Sequence, residues 1–186
     1  MEQTLIARCI RKDAKAQYEL YRALYPMMMS VCTRYERNKQ DAVAMMNAGF
    51  LKILDRIGER KPEVPFDAWA RRIVINTVID AFRRSKQRKS VEVLDDVNDD
   101  SNSQEANEYL QQMEAEAFAE LLLRVPPMSR NVFNLFAIDG HSHAEVSQLL
   151  GISEGTSKWH VNHARGVLQR ALAELAHSST QKVVIQ

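Results

Sequence analysis

Cysteine is scarce. The 186 residues hold two, Cys9 and Cys32, with no close spacing. That excludes a disulfide framework and a cysteine-based metal knuckle, and it fits a reducing compartment. Strand signals are missing from residues 1–89: Thr/Val alternation is rare and no Asn-Gly turn occurs. No apolar run approaches the roughly 18 residues of a membrane span. The opening "MEQTLIARCIRKD" lacks a basic-then-apolar leader pattern. The expectation is a cytoplasmic protein without membrane insertion. There is no phosphate-cradling loop, no paired acid and base, and no nucleophile with a partner, so neither an enzyme nor a cofactor is expected.

What is present is helical pattern. Apolar residues make up 45% of the chain, enough for packed cores. Asp13 is placed to cap a helix running through Tyr21, with Pro26 expected to kink or end it. Val43, Met46, Phe50, Ile53 and Ile57 recur at helical spacing and predict a buried stripe. "GERKPEVP" (58–65) is a loop, and a long helix follows from about Phe66 to Lys89. Residues 90–108 are acidic, polar and poor in large apolar side chains, which predicts a flexible linker. Helical pattern resumes at Tyr109 and continues to about residue 176. A flexible tail is expected over 177–186. The fold class is therefore all-α: two small helical domains, 1–89 and 109–176, joined by an acidic tether.

The net charge is +1, an average that hides local asymmetry. Between Ala68 and Val91 stand seven Arg or Lys residues and one carboxylate, Asp80. On a helical wheel Trp69, Ile73, Thr77 and Ala81 share a face that can enter a core. Arg72, Asn76, Asp80, Arg83 or Arg84, and Gln87 stack along another, at spacings of four or three. A helix end this basic repels itself unless an anion lies alongside. Asn is a poor helix former, but it donates and accepts at once, which suits a base edge. Asp80 lies one turn from Arg84 and could hold that guanidinium. The competing reading is a solvated face whose cations suit a helix C-terminus.

The second constellation is "DGHSHAEVSQLLGISEG". Ser142 and Glu145 form a capping box, and Val146, Leu149 and Leu150 a short apolar face. Gly151 can close that helix in the left-handed conformation, and Ser153 can cap the next. This is the layout of a helix-turn-helix. In the second helix Ser157, Val161, Ala164 and Leu168 form the buried stripe. Gly155, Trp159, Asn162, His163, Gly166 and Arg170 lie opposite, flanked by Lys158 and Arg165. No carboxylate occurs from Gly155 to Ala173. Small hydroxyl residues at the start, Ser153 to Ser157 around Glu154 and Thr156, would let the helix end approach phosphates closely. Trp159 either meets a thymine methyl or a sugar edge, or packs against a neighbouring helix or a partner protein. His160 and His163 fall on different faces with no Cys near, so no metal site is expected.

Both constellations, in this order across an acidic tether, resemble an extracytoplasmic-function (ECF) sigma factor of bacterial RNA polymerase over nearly the whole chain. "KDAKAQYELYRALYP" looks like the start of sigma region 2, and "FDAWARRIVINTVIDAFRRSKQRK" is similar to its promoter-reading helix. "LLLRVPPMSRNVFNLFAIDGHSHAEVSQLLGISEGTSKWHVNHARGVLQ" is similar to region 4, and "ISEGTSK" looks like the form seen in members from Bacteroidetes. The resemblance implies that residues 1–89 bind core RNA polymerase and read the minus-10 element of promoter DNA. Trp69, Arg72, Asn76, Asp80, Arg83, Arg84 and Lys86 would be its contacts. It implies that 109–176 read the minus-35 element through residues 153–159, Asn162, His163 and Arg165. It also implies an anti-sigma factor or recruiting protein as a further partner. The tether, about 20 to 25 residues, reaches roughly 70 to 85 Å when extended, close to the span of two duplex turns.

One stretch departs from the family. Members usually show Ala-Glu-Asp, then Gln and an acidic residue, before a Phe, on the surface that binds the polymerase clamp. Here it reads "AVAMMNAGF", Ala42 to Phe50, with Val43, Ala44 and Ala48 where the acids would be and Asn47 for Gln. Asn47, Phe50, Lys52 and Asp55 remain as candidate polymerase contacts. The alternative is a stand-alone helix-turn-helix regulator that keeps the sigma shape with weakened polymerase contact.

Overall fold

The computed structural model describes residues 3–88 and 115–183, with side chains for 4–85 and 117–175. Among the described residues every regular element is helical. The chain divides into two compact units, Met1–Val91 and Glu92–Gln186. The expected linker, residues 90–108, and the expected return of helix at Tyr109 lie outside the described residues.

In the first unit α1 (Gln3–Ile10) leads through a tight turn into α2 (Ala14–Tyr35), followed by α3 (Lys39–Arg56) and α4 (Phe66–Arg88). Lys12 takes a left-handed conformation (φ 62°) in the first turn, where no glycine is available. Asp13 caps α2 by accepting a hydrogen bond from the Ala16 N–H at 3.0 Å, and Arg8 pairs with it at 3.0 Å. Asn38 caps α3 in the same way through the N–H groups of Gln40 and Asp41. Helix α2 continues to Tyr35 and does not end at Pro26. Its ring is exposed, so the backbone carbonyl it leaves without an N–H can be served by water. The buried stripe Ala16, Leu20, Leu24, Met28, Val31 and Cys32 runs past it on the inner side.

Helix α4 packs against both α2 and α3, and its apolar surface is correspondingly wide. Ala70, Ile73, Val74, Ile75, Val78 and Ile79 are all buried. Each such large apolar side chain contributes roughly 1.5–3 kcal/mol relative to leaving it exposed. Gly49 on α3 allows close approach: a Cβ there would lie 3.4 Å from the Val74 side chain and 3.5 Å from its Cα. Met46 and Ile53 complete this core as expected from their spacing, while Val43 is only half-buried.

The second unit contains α5 (Ala115–Leu122), α6 (Pro127–Phe133), a π-helical turn (Asn134–Ile138), α7 (His143–Leu150) and α8 (Glu154–Val183). Pro127 opens α6, where its missing N–H costs nothing. The π turn follows α6 directly and continues its helical course to Ile138. It carries Phe136 onto the ring of His143, stacked at 4.1 Å and 15°. Ser142 and Glu145 form the capping box of α7, and Gly151 ends that helix at φ 65°. Helix α8 runs to Val183, well into the stretch expected as a tail. Ala, Leu, Glu and Gln dominate residues 169–176, so helix propensity carries the chain past Ala171, the last buried residue among those whose side chains are described. Among the described residues, no helix is long and apolar enough to cross a membrane.

Candidate nucleic-acid interface

On α4 the basic side is accessible. Arg72, Asp80, Arg83 and Arg84 are exposed, Asn76 and Trp69 are half-buried, and the side chain of Lys86 lies outside those described. Trp69 leans on Phe66, with ring centroids 5.6 Å apart, so part of its surface belongs to the core. Asp80 does not hold Arg84. Its Oδ2 lies 3.3 Å from Nζ of Lys52 on α3. Helix packing brings α3 alongside at that level, a pairing across 28 positions that no local pattern signals. Asp80 and Lys52, expected to serve two different partners, thus form one ion pair.

The neighbouring face of α3 is short of charge. Ala44, Asn47, Ala48 and Leu51 are exposed at helical spacing, and Asp55 follows one turn on. Asn47 Oδ1 accepts a hydrogen bond from the Tyr21 hydroxyl at 3.3 Å. Phe50 is not a surface contact: it is buried and meets the Tyr21 ring edge-on at 5.1 Å. Its place in the apolar stripe puts it under the surface that Asn47 and Leu51 expose.

The helix-turn-helix forms as expected. The Ser153 hydroxyl accepts from the Thr156 N–H at 3.0 Å and lies 2.8 Å from the Thr156 hydroxyl. Glu154, Gly155, Lys158 and Asn162 are exposed, while Thr156, Trp159, His163 and Arg165 are half-buried. A Cβ on Gly155 would meet only the Ser153 hydroxyl, at 3.7 Å. The fold does not require glycine there, and Gly costs a helix about 1 kcal/mol relative to Ala. The bare backbone at this exposed position leaves the start of α8 open from outside.

Three expectations for α8 need correction. Ser157 is fully buried, as its place in the stripe implies, with its hydroxyl 2.9 Å from Nδ1 of His143, so it holds α7 against α8 and is not the minus-35 contact that the resemblance implied. Gly166 is buried rather than outward. His160 and His163 do not diverge: their Nδ1 atoms lie 2.9 and 3.0 Å from one hydroxyl, that of Ser129 on α6. Trp159 stacks on His163 (5.0 Å, 21°) and meets His160 edge-on (4.9 Å, 74°). These serine–histidine contacts link residues 14 to 34 positions apart, a distance over which sequence periodicity carries no signal.

Comparisons with known proteins agree with this arrangement. The family model for sigma-70 region 2 matches residues 20–88, and that for sigma-70 region 4 matches residues 115–168. The chain is 30% identical over 128 residues to the RNA polymerase sigma factor SigZ of Bacillus subtilis, covering 69% of this chain and 70% of that protein. It is 27% identical over 171 residues to the ECF RNA polymerase sigma factor SigM of Mycobacterium tuberculosis, covering 92% of this chain and 84% of that one. Among solved structures it is similar in fold to the sigma factor RpoE from Bartonella quintana, solved in complex with the anti-sigma factor NepR. The TM-score is 0.51 at 17% identity, over 84% of this chain and 96% of that chain. With region 2 matched in the first helical unit and region 4 in the second, the chain belongs to the sigma-70 family of RNA polymerase sigma factors, in its ECF branch.

Proposed function

We propose that the chain is a transcription initiation factor that directs core RNA polymerase to promoters, with α4 on the minus-10 element and α8 on the minus-35 element. The observation that carries this reading is that each unit exposes one cationic helix face beside side chains able to read bases. On α4 these are Arg72, Arg83 and Arg84 beside Asn76; on α8, Lys158 and Arg165 beside Asn162 and Trp159. Cations on phosphates supply affinity and register, and the amide and aromatic groups supply sequence preference. The chain itself performs no bond chemistry. It acts with polymerase in the cytoplasm. In the solved complex RpoE is bound by an anti-sigma factor; we infer a partner of that class, or a recruiting protein, here as well.

The test is run-off transcription with the core enzyme of its own organism on the DNA upstream of its own gene. A discrete transcript that requires the chain is expected. Binding to that DNA without any transcript would instead identify a stand-alone regulator.

A further inference from the structure

Ser129 is buried on α6, and its hydroxyl oxygen sits between two imidazole nitrogens: 2.9 Å from Nδ1 of His160 and 3.0 Å from Nδ1 of His163. A hydroxyl carries one proton, so it can donate to only one of them. The other ring must carry its own proton on Nδ1 and donate to the serine oxygen. No other acceptor for the serine proton is found among the described residues, so that proton goes to one of the rings, and while both rings are neutral they hold opposite tautomers. His160 is buried, whereas His163 is half-exposed and covered on one side by the stacked Trp159. Neither Nε2 of His163 nor Nε1–H of Trp159 has a hydrogen-bond partner among the described residues. Two stacked rings on α8 thus keep a free polar edge each. The indole edge is a donor. The imidazole edge is an acceptor if His163 donates to Ser129, and a donor if it accepts from it. A donor beside an acceptor matches the major-groove edge of adenine, and two donors match that of guanine.

We propose that Ser129 is a positioning residue for promoter reading: through His160 and His163 it fixes the tautomer and orientation of the stacked Trp159–His163 pair that meets the duplex. The proposal rests on the reading of α8 as the duplex-facing helix. Ser129 touches no DNA itself. It decides which base the stacked pair prefers.

Two measurements test this. Nitrogen-15 spectra of the full chain, labelled at histidine, report the tautomer of each ring. His160 and His163 should differ in the native protein and lose that difference in Ser129→Ala. Sequence enrichment is then run with the chain bound to core polymerase, on duplexes randomised across the upstream element. Ser129→Ala and His163→Ala should relax preference at the same base pair, where discrimination of roughly 5- to 100-fold is lost, and leave the other positions unchanged. Equal tautomers in the native chain would overturn the proposal. So would a Ser129→Ala variant that weakens all sequences alike or changes none. Should Ser129→Ala not fold, the native tautomers and His163→Gln enrichment decide in its place. Run-off transcription by the native chain tests the sigma-factor reading separately, and the tautomer result stands whatever that assay returns.

Discussion

Lys52 Nζ lies 3.3 Å from Asp80 Oδ2, joining α3 to the one carboxylate between Ala68 and Val91. Both side chains are close to half-exposed, so the pair contributes less than about 1 kcal/mol to stability. Its larger effect is on charge. Asp80 lowers the positive potential of a helix that carries Arg72, Arg83 and Arg84 on its accessible side. Asp80→Asn is expected to leave thermal stability nearly unchanged and to tighten binding to any duplex. The log–log dependence on salt should steepen by up to about one. Anisotropy titrations over a range of salt check this, and an unchanged slope would place Asp80 away from the duplex.

Gly155 offers the opposite balance of stability against binding. Gly155→Ala should stabilise the second unit by about 0.5–1 kcal/mol, because α8 gains a helix former and the new Cβ finds open space. The same methyl stands where the helix end would approach phosphates, so affinity for the upstream element should fall. Thermal melts and duplex binding together decide. Higher stability with unchanged binding would show that Gly155 is simply tolerated.

Much of this was legible before the structure. Capping residues, the glycine that ends α7 and the apolar stripes are local signals, each readable within a turn or two. Asp13, Ser142, Gly151 and Ser153 all do what their spacing implied. The misses come from contacts between elements. Asp80 meets Lys52, 28 positions away, because α3 packs beside α4. The histidines of α8 converge on Ser129, and Ser157, buried as its stripe implied, meets His143, because α6 and α7 supply partners that no helical wheel contains. Phe50 was read both as core and as contact, and burial decides for core.

Asp13 gives the first unit a dependence on acid. The Ala16 N–H that it accepts, and after it the Arg8 guanidinium, hold its carboxyl below the usual carboxylate range. A carboxyl depressed on folding stabilises above its unfolded pKa, near 4 in the ordinary case. That contribution is lost as pH falls through the folded value. Asp13→Asn keeps an N-capping oxygen but cannot ionise. The native chain should therefore melt higher than Asp13→Asn above about pH 4, and the two curves should converge toward lower pH. Parallel curves across that range would remove Asp13 from the account.

Asn76 sits half-buried on α4, one turn beyond the exposed Arg72. If it reads a base edge, its loss costs about 1–3 kcal/mol at that step. Asn76→Ala should reduce strand opening at the minus-10 element without weakening attachment to polymerase. Permanganate footprinting on the promoter measures the first and co-purification the second. Unchanged permanganate reactivity would return Asn76 to a packing role.

The charge-poor face of α3 bears on competition for polymerase. Ala44 and Ala48 stand exposed on that face, and a methyl group cannot make a charge-assisted contact with a basic partner. Losing one member of such a pair costs about 2 kcal/mol or more when buried at an interface, and little at its rim. Asn47 is engaged by Tyr21, and Phe50 lies in the core, so neither is placed to replace that charge. Leu51, 61% exposed on the same face, adds apolar surface that polymerase could bury instead. The expected outcome is that this chain competes weakly for its own core enzyme against another sigma factor of the same organism. Ala44→Asp with Ala48→Glu should improve its share; both sites are exposed, so the fold tolerates the change. Half-buried Val43 is left alone, because a carboxylate there would be partly desolvated. Leu51→Ala in the same assay separates the two explanations. A gain from the added acids shows a charge deficit that a recruiting protein would have to make up. No gain from the acids, together with a loss from Leu51→Ala, shows a surface that has adapted to an apolar contact, and the recruiting partner is then unnecessary.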